Sequence, residues 1–192
     1  MFGFAVIHPA GAVLFDTGIG PPHALIDRLY RPFRTPLDAG LANIGLSPAD
    51  VIAIINCHLH FDHCGGNQLF PGTPIFAQKA EYEAARAPGY TLPEWVDFPG
   101  ARFELVDGDA EVLPGISVIP TPGHTPGHQS AIVDTADGRA VLAGQAAETA
   151  RQFTRLEGAG AEYVASLRRL HRLSPRRVMF SHDPTVWEPA GR

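Results

Sequence analysis

The chain has 192 residues, of which 45 % are hydrophobic and 18 % are charged, the proportions of a folded globular protein with a substantial core. Its net charge is −5 and its pI is about 5.9, which argues against non-specific binding to nucleic acid. The apolar N-terminus lacks a basic start, and no run is long enough to span a membrane. We therefore expect one cytoplasmic domain over residues 1–192.

Short β-like runs recur along the chain, and each ends in turn residues and a polar side chain. The N-terminal segment predicts a pair of strands that ends at Phe15. The five runs with the polar residues that follow them are 12–15 with Asp16, 51–55 with His58, 116–119 with His124, 140–143 with Gln145, and 178–180 with His182. Loops at one edge of a sheet often build an active site, so we expect these side chains to lie together.

Helical patterns occupy the intervals between these runs. The predicted helices are 24–30, a short one after Ser47 with proline at its first position, 79–86, and 161–173. Residues 88–99 carry Tyr90, Trp95 and Phe98 between prolines without a clear period. We interpret them as an irregular flap, whose aromatic side chains either line an acyl-binding pocket or serve only in packing.

Six residues with metal-binding side chains dominate the sequence. Four fall within six positions at the end of the 51–55 run, and the chain continues into a Gly-rich turn: His58, His60, Asp62 and His63. His124 lies in a rigid loop of prolines and glycines, and His182 follows the last strand-like run. Imidazoles with a carboxylate favour an open catalytic site for a metal such as zinc. Five histidines and one aspartate are enough for two metals.

Other residues near these motifs have simpler interpretations. Cys57 and Cys64 are expected to be reduced and not to bind the metal, since disulfides are rare in the cytosol. His128 is expected to brace its loop through hydrogen bonds, and His171 lies on the apolar stripe of a helix. Asp183 either braces His182 or is an ordinary turn aspartate.

The motifs resemble those of the metallo-β-lactamase superfamily, and most closely its N-acyl homoserine lactone lactonase branch. The resemblance rests on His-Leu-His-Phe-Asp-His-Cys-Gly-Gly-Asn from position 58, on Pro-Gly-His-Thr-Pro-Gly-His around His124, and on Asp16 and His182. It implies an α/β fold, the αβ/βα four-layer sandwich. It also implies one zinc on His58, His60 and His124, a second on Asp62, His63 and His182, and Asp16 behind them as an orienting group.

Three departures from the family pattern affect these expectations. Gln145 stands where the family has an aspartate that bridges the metals, and a neutral amide bridges poorly, so we expect one zinc rather than two. Glu148 stands where the lactonases place a tyrosine near the substrate, and it is the alternative ligand. The chain also begins near the family's second strand, so an N-terminal strand is expected to be missing.

The resulting hypothesis is a zinc-dependent hydrolase that opens a lactone. Zinc lowers the pKa of bound water to about 7, and Asp62 is placed to pass the proton to the leaving alkoxide. The alternatives are another hydrolase of the fold, such as a glyoxalase II-like thioesterase that needs Lys79 or Arg102, and a metal-binding scaffold with little turnover. The expected partners are a small lactone or ester and a second copy in a homodimer, with no nucleic acid and no membrane.

Overall fold

Two five-stranded sheets form the centre of the molecule in the computed structural model, which describes residues 1–158 and 160–189. The strands of the first sheet, which neighbour one another in chain order, are β1 (Phe4–His8), β2 (Gly11–Phe15), β3 (Val51–Ile55), β4 (Pro74–Gln78) and β5 (Arg102–Val106). Those of the second, also neighbours in chain order, are β6 (Ala110–Leu113), β7 (Ile116–Pro120), β8 (Gln129–Thr135), β9 (Gly138–Leu142) and β10 (Arg177–Met179).

Both sheets are mixed, and the direction of each pair follows from its connection. β1 and β2 form an antiparallel hairpin, whereas β2, β3, β4 and β5 run parallel. In the second sheet β6 to β9 are antiparallel, and β10 returns parallel to β9. Most parallel neighbours are separated along the chain by helices, because a parallel pair needs a long crossover.

The apolar side chains of each sheet are divided between two packed layers. In β3, Ala53 and Ile55 point to the second sheet and meet residues such as Val118 and Leu142, while Ile54 packs on the outer side with Phe70. Successive side chains of a strand point to opposite faces. The run from 51 to 55 is apolar throughout because it is covered on both faces.

Helices cover the outer faces of both sheets and complete four layers. They are α1 (Ala24–Tyr30), α2 (Leu37–Ala42), α3 (Phe61–Cys64), α4 (Lys79–Ala84), α5 (Pro93–Val96), α6 (Ala150–Arg155) and α7 (Ala161–Arg172), with 3-10 turns at Pro48–Asp50 and Asn67–Leu69. In α7, Leu167 and Leu170 are fully buried against Val141 of the second sheet and Phe153 of α6. The predicted αβ/βα sandwich is confirmed.

The element predictions were mostly correct, with one error of topology and one of local structure, since the segment 88–99 interpreted as irregular contains α5. The predicted helix at 24–30 and the strand at 51–55 have the observed bounds, and the helix predicted for 79–86 ends at Ala84. The prediction that one sheet edge delivers all the polar residues was wrong. β2 and β3 belong to the first sheet, whereas β7, β9 and β10 belong to the second. The candidate site therefore lies where the edges of two sheets meet.

Within residues 1–158 and 160–189, no helix combines the length and the apolar character that crossing a bilayer requires.

Candidate metal centre

Three histidines from two sheets converge in what we call the first group: His58, His60 and His124. His58 and His60 follow β3, whereas His124 lies in the loop between β7 and β8. The Nε2 atom of His58 is 3.0 Å from Nδ1 of His60, and that atom is 3.3 Å from Nε2 of His124. His58 is fully buried, and the other two are partly exposed.

A second group stands beside the first and consists of Asp62, His63 and His182. Asp62 and His63 lie in the short helix α3, and His182 follows β10. The Nε2 atoms of His63 and His182 are 3.2 Å apart, and each is 3.5 Å from Oδ2 of Asp62. His63 is fully buried, whereas the side chains of His182 and Asp62 are 29 % and 27 % exposed.

Both groups have the spacing that a metal requires, and the first group also has the neutral imidazoles. Two ligand atoms 2.0–2.1 Å from a tetrahedral zinc are about 3.3 Å apart, and the separations here are 3.0 to 3.5 Å. Burial lowers the pKa of His58 well below its usual value, and it lowers the pKa of His60 to about 4. Neutral imidazole nitrogens that converge at this spacing are the ligands that zinc and similar divalent metals take, so the residues fit such an ion.

The Asp16 carboxylate holds the second group from behind. It is 1 % exposed and accepts hydrogen bonds from the backbone N–H of Cys57 and from Nδ1 of His63, both at 2.8 Å. Burial has the largest influence on the pKa of His63 and lowers it, but Asp16, Asp62 and Gln145 together raise the pKa above its usual value. The bond fixes the tautomer in which Nε2 of His63 is free to face the second group.

Cys57 connects the two groups through hydrogen bonds. The Cys57 thiol lies 3.0 Å from Oδ2 of Asp16 and 3.0 Å from Nδ1 of His58. Burial, followed by the Asp16 charge, raises the pKa of this thiol well above its usual value. The thiol therefore donates to Asp16 and can accept a hydrogen bond from His58. Both cysteines are free, as predicted. The backbone of Gly144 lies close to Cys57, and a Cβ atom at Gly144 would be 2.8 Å from the Cys57 sulfur.

His128 has the bracing contacts that its position predicted. Its Nδ1 atom is 2.9 Å from the Thr121 hydroxyl, and its Nε2 accepts a hydrogen bond from the backbone N–H of Gln145 at 3.0 Å. His171 stacks on Phe153 with ring centroids 4.1 Å apart. Asp183 does not bond to His182. It accepts hydrogen bonds from the backbone N–H groups of Ala150, at the start of α6, and of Thr185.

Gln145 and Glu148 form a pair beside both groups. The Gln145 amide nitrogen donates to the Glu148 carboxylate at 2.9 Å. Burial lowers the pKa of His124 and of His182, and the Glu148 charge opposes that shift at both histidines. One carboxylate thus acts electrostatically on a member of each group, while the amide next to it is neutral.

A cavity of about 760 Å³ opens beside the second group. Asp62 and His182 line it together with residues of the β1–β2 hairpin and apolar residues of the α1–α2 region, among them Tyr30, Phe33 and Ile44. Sequence patterns did not identify this lining.

Of the aromatic residues predicted for a flap, Trp95 and Phe98 are buried, and Tyr90 contacts His60 with ring centroids 4.7 Å apart. For Trp95 and Phe98, packing is the correct alternative.

An αβ/βα sandwich with two clusters of metal-ligand atoms at its sheet edges defines a class of metalloproteins. The model of the metallo-beta-lactamase superfamily matches residues 4–182, and the chain belongs to that superfamily.

Its relatives include enzymes that act on N-acyl homoserine lactones. The chain is 40 % identical to an N-acyl homoserine lactonase from Bacillus sp over 149 residues, which cover 77 % of this chain and 58 % of the relative. It is 30 % identical to the lactonase AttM from Agrobacterium fabrum, over 96 % of this chain and 82 % of the relative. An N-acyl homoserine lactone hydrolase with N-hexanoyl-L-homoserine at its catalytic metal centre superimposes with a TM-score of 0.81, at 32 % identity, over 95 % of this chain and 80 % of that one. The match to the Bacillus lactonase thus spans less than two thirds of its length.

Proposed function

We propose that this protein is a metal-dependent hydrolase that opens N-acyl homoserine lactones or closely similar lactones. The observation that carries the proposal is the cavity: its apolar wall leads directly to Asp62 and His182 of the second group. A lactone with an acyl tail has this same polarity, with a polar ring at one end and a hydrocarbon chain at the other. The likeness to N-acyl homoserine lactonases supports the same substrate class.

The proposed ligands are the six residues of the two groups, and Asp62 also serves in proton transfer. When bound there, zinc supplies Lewis-acid catalysis and a water-derived nucleophile at neutral pH. The Asp62 carboxylate faces the cavity and stands beside His63 and His182. It accepts the proton of the attacking water and delivers it to the alkoxide that leaves as the ring opens. Tyr30 and Phe33 hold the acyl chain against the cavity wall.

A glutathione thioester is a poorer candidate for the same site. Its carboxylates call for basic residues at the cavity, and Lys79 and Arg102 were the candidates. In the described part of the chain neither residue lines the cavity: Lys79 pairs with Glu83, and Arg102 pairs with Glu104. A scaffold without turnover is the remaining alternative, and only an activity measurement separates it from an enzyme.

The proposal is tested by ring opening of a panel of lactones with increasing acyl length, alongside simple esters and a thioester. Proton release during hydrolysis gives the rate. His58→Ala should abolish turnover and release metal, while His8→Ala, at the end of β1, should change neither. Hydrolysis of the thioester but not of the lactones would refute the substrate assignment, and no turnover by metal-loaded protein would favour the scaffold.

We further propose that the purified protein holds nearer one zinc than two, because Gln145 brings no negative charge. Gln145→Asp should then raise affinity for a second metal and increase lactone hydrolysis. Metal content by elemental analysis distinguishes this from the alternative in which Glu148 supplies the charge. Two tightly held metals in both the native chain and Glu148→Ala would contradict the charge argument. Two in the native chain alone would make Glu148 the substitute ligand.

The compartment and the assembly of the protein stay predictions. A cytoplasmic location is consistent with two buried, unpaired cysteines, and a homodimer is tested by light scattering of the purified protein.

A further inference from the structure

A buried carboxylate on α4 connects the loops that carry the first group. Glu81 is fully buried, although its helix neighbours Ala80 and Glu83 are exposed. Its Oε1 accepts a hydrogen bond from the backbone N–H of Leu59 at 2.8 Å, and its Oε2 accepts one from the Thr125 hydroxyl at 2.6 Å. The Tyr90 hydroxyl also donates to Oε1.

Each of these donors lies next to a histidine of the first group. Leu59 stands between His58 and His60, and Thr125 directly follows His124. The ring of Tyr90 lies against the ring of His60. Because His60 follows a strand of the first sheet and His124 follows a strand of the second, one carboxylate joins loops that the fold brings together from two layers.

The loop that follows His124 presses directly on the backbone of α4. A Cβ atom at Gly127 would lie 2.1 Å from the nitrogen of Glu81 and 2.4 Å from its Cα. Only glycine permits this approach, which brings Thr125 within reach of the carboxylate. The contact leaves little room for Glu81 and the His124 loop to move independently.

The carboxylate of Glu81 has no cationic hydrogen-bond partner among the residues that the structure describes. Within residues 1–158 and 160–189, the Glu81 carboxylate accepts hydrogen bonds from the three donors named above, and none of them belongs to a lysine or an arginine. An ionised carboxylate is costly to bury without a cation. The first group has three neutral imidazoles and no carboxylate of its own. Its histidines are the sequence neighbours of Leu59 and Thr125, which donate to Glu81.

We propose that Glu81 is a positioning residue for the first group: it fixes the His58–His60 segment and the His124 loop at metal-binding distance and supplies the negative charge behind them. The inference rests on the metal centre proposed above. It predicts that loss of the charge weakens the first group selectively and leaves the second group, which Glu81 does not touch, nearly unchanged.

The test uses Glu81→Gln, which keeps the shape of the side chain, with Glu83→Gln as the control on the same helix. Each is combined with His182→Ala, which leaves the first group intact, and with His124→Ala, which leaves the second. Zinc dissociation constants come from competition with a chromophoric chelator. We expect Glu81→Gln to raise the constant by at least about ten-fold in the His182→Ala background. In the His124→Ala background, Glu81→Gln should change the constant less than about two-fold. The control Glu83→Gln should change it less than about two-fold in both backgrounds.

Equal losses of affinity in the two backgrounds would assign Glu81 a general structural role and overturn the inference, as would unchanged affinity in both. If Glu81→Gln does not fold, Thr125→Val removes one of the three bonds without removing the charge. It should raise the zinc dissociation constant severalfold in the His182→Ala background only, and no change there would also overturn the inference. A native chain that binds no zinc would refute the metal centre itself, whatever the result for Glu81.

Discussion

Asp16→Asn should destabilise the fold and disable the second group, although it exchanges only one oxygen for an NH2 group. Asp16 has a φ of 60°, a left-handed conformation that aspartate and asparagine both tolerate. The substitution therefore leaves the backbone unstrained and changes only the hydrogen bonds. Oδ1 accepts from the N–H of Cys57, and Oδ2 accepts from His63, from the Cys57 thiol and from the Ser181 hydroxyl.

Neither orientation of an asparagine amide satisfies these donors. If the NH2 group takes the place of Oδ1, it faces the Cys57 N–H, which cannot turn away. If it takes the place of Oδ2, His63 must move its proton from Nδ1 to Nε2, the atom that faces the second group. Losing one or two bonds to a buried charge costs about 3 to 5 kcal/mol. For a chain of this size that cost lowers the Tm by about 6 to 20 °C.

The assay measures thermal unfolding in EDTA and zinc binding in parallel. Asp50→Asn serves as the control, because it removes a hydrogen-bonded carboxylate outside the two groups, and zinc binding should not change. The reasoning would be refuted if Asp16→Asn unfolded within 2 °C of the native protein and bound zinc equally well in both groups.

Three further outcomes follow from the same contacts. Asp62→Asn should retain the zinc of the first group but lose most of the lactone turnover, measured by proton release, because an amide cannot carry the proton; an undiminished rate would remove that role. Cys57 and Cys64 should resist iodoacetamide in the folded protein and react after unfolding, as mass spectrometry would show, since burial raises the pKa of Cys57 well above its usual value and that of Cys64 to about 12. The hydroxyl and the backbone N–H of Ser47 lower the pKa of Asp50, so its stabilisation exists above its unfolded pKa and disappears as the pH falls through the lowered value. Chemical unfolding curves of native protein and Asp50→Asn should therefore converge in acid, and a constant difference would contradict the assignment.

The features that could be predicted from the sequence are those encoded over short distances. The strand from 51 to 55 and the candidate metal ligands that follow it are continuous in the chain, so their local pattern was sufficient. The hairpin at the N-terminus and α1 were predictable for the same reason. His124 and His182 were recognisable because each follows a strand-like run in a distinctive loop.

Other features depend on contacts that no local pattern specifies. Glu81 and Glu83 both lie in an alanine- and glutamate-rich helix, and contacts from the Leu59 backbone, Tyr90 and the His124 loop bury the first, whereas the second is exposed. The division of the polar loops between two sheets was missed because strand runs do not reveal their partners. Trp95 and Phe98 were candidates for a pocket wall, but apolar rings without a period do not indicate which layer they enter.

The two groups differ in their burial and in their access to the cavity. His58 is fully buried and contacts Cys57, and Glu81 accepts a hydrogen bond from the neighbouring Leu59, whereas His60 and His124 are partly exposed. In the second group Asp62 and His182 are the members that reach the cavity. We infer that the proposed lactone substrate, entering by that route, meets the second group first, with its acyl chain against the α1–α2 residues. We therefore infer that substitutions behind the first group act mainly on metal affinity, whereas substitutions in the cavity wall act mainly on KM and on the preferred acyl length.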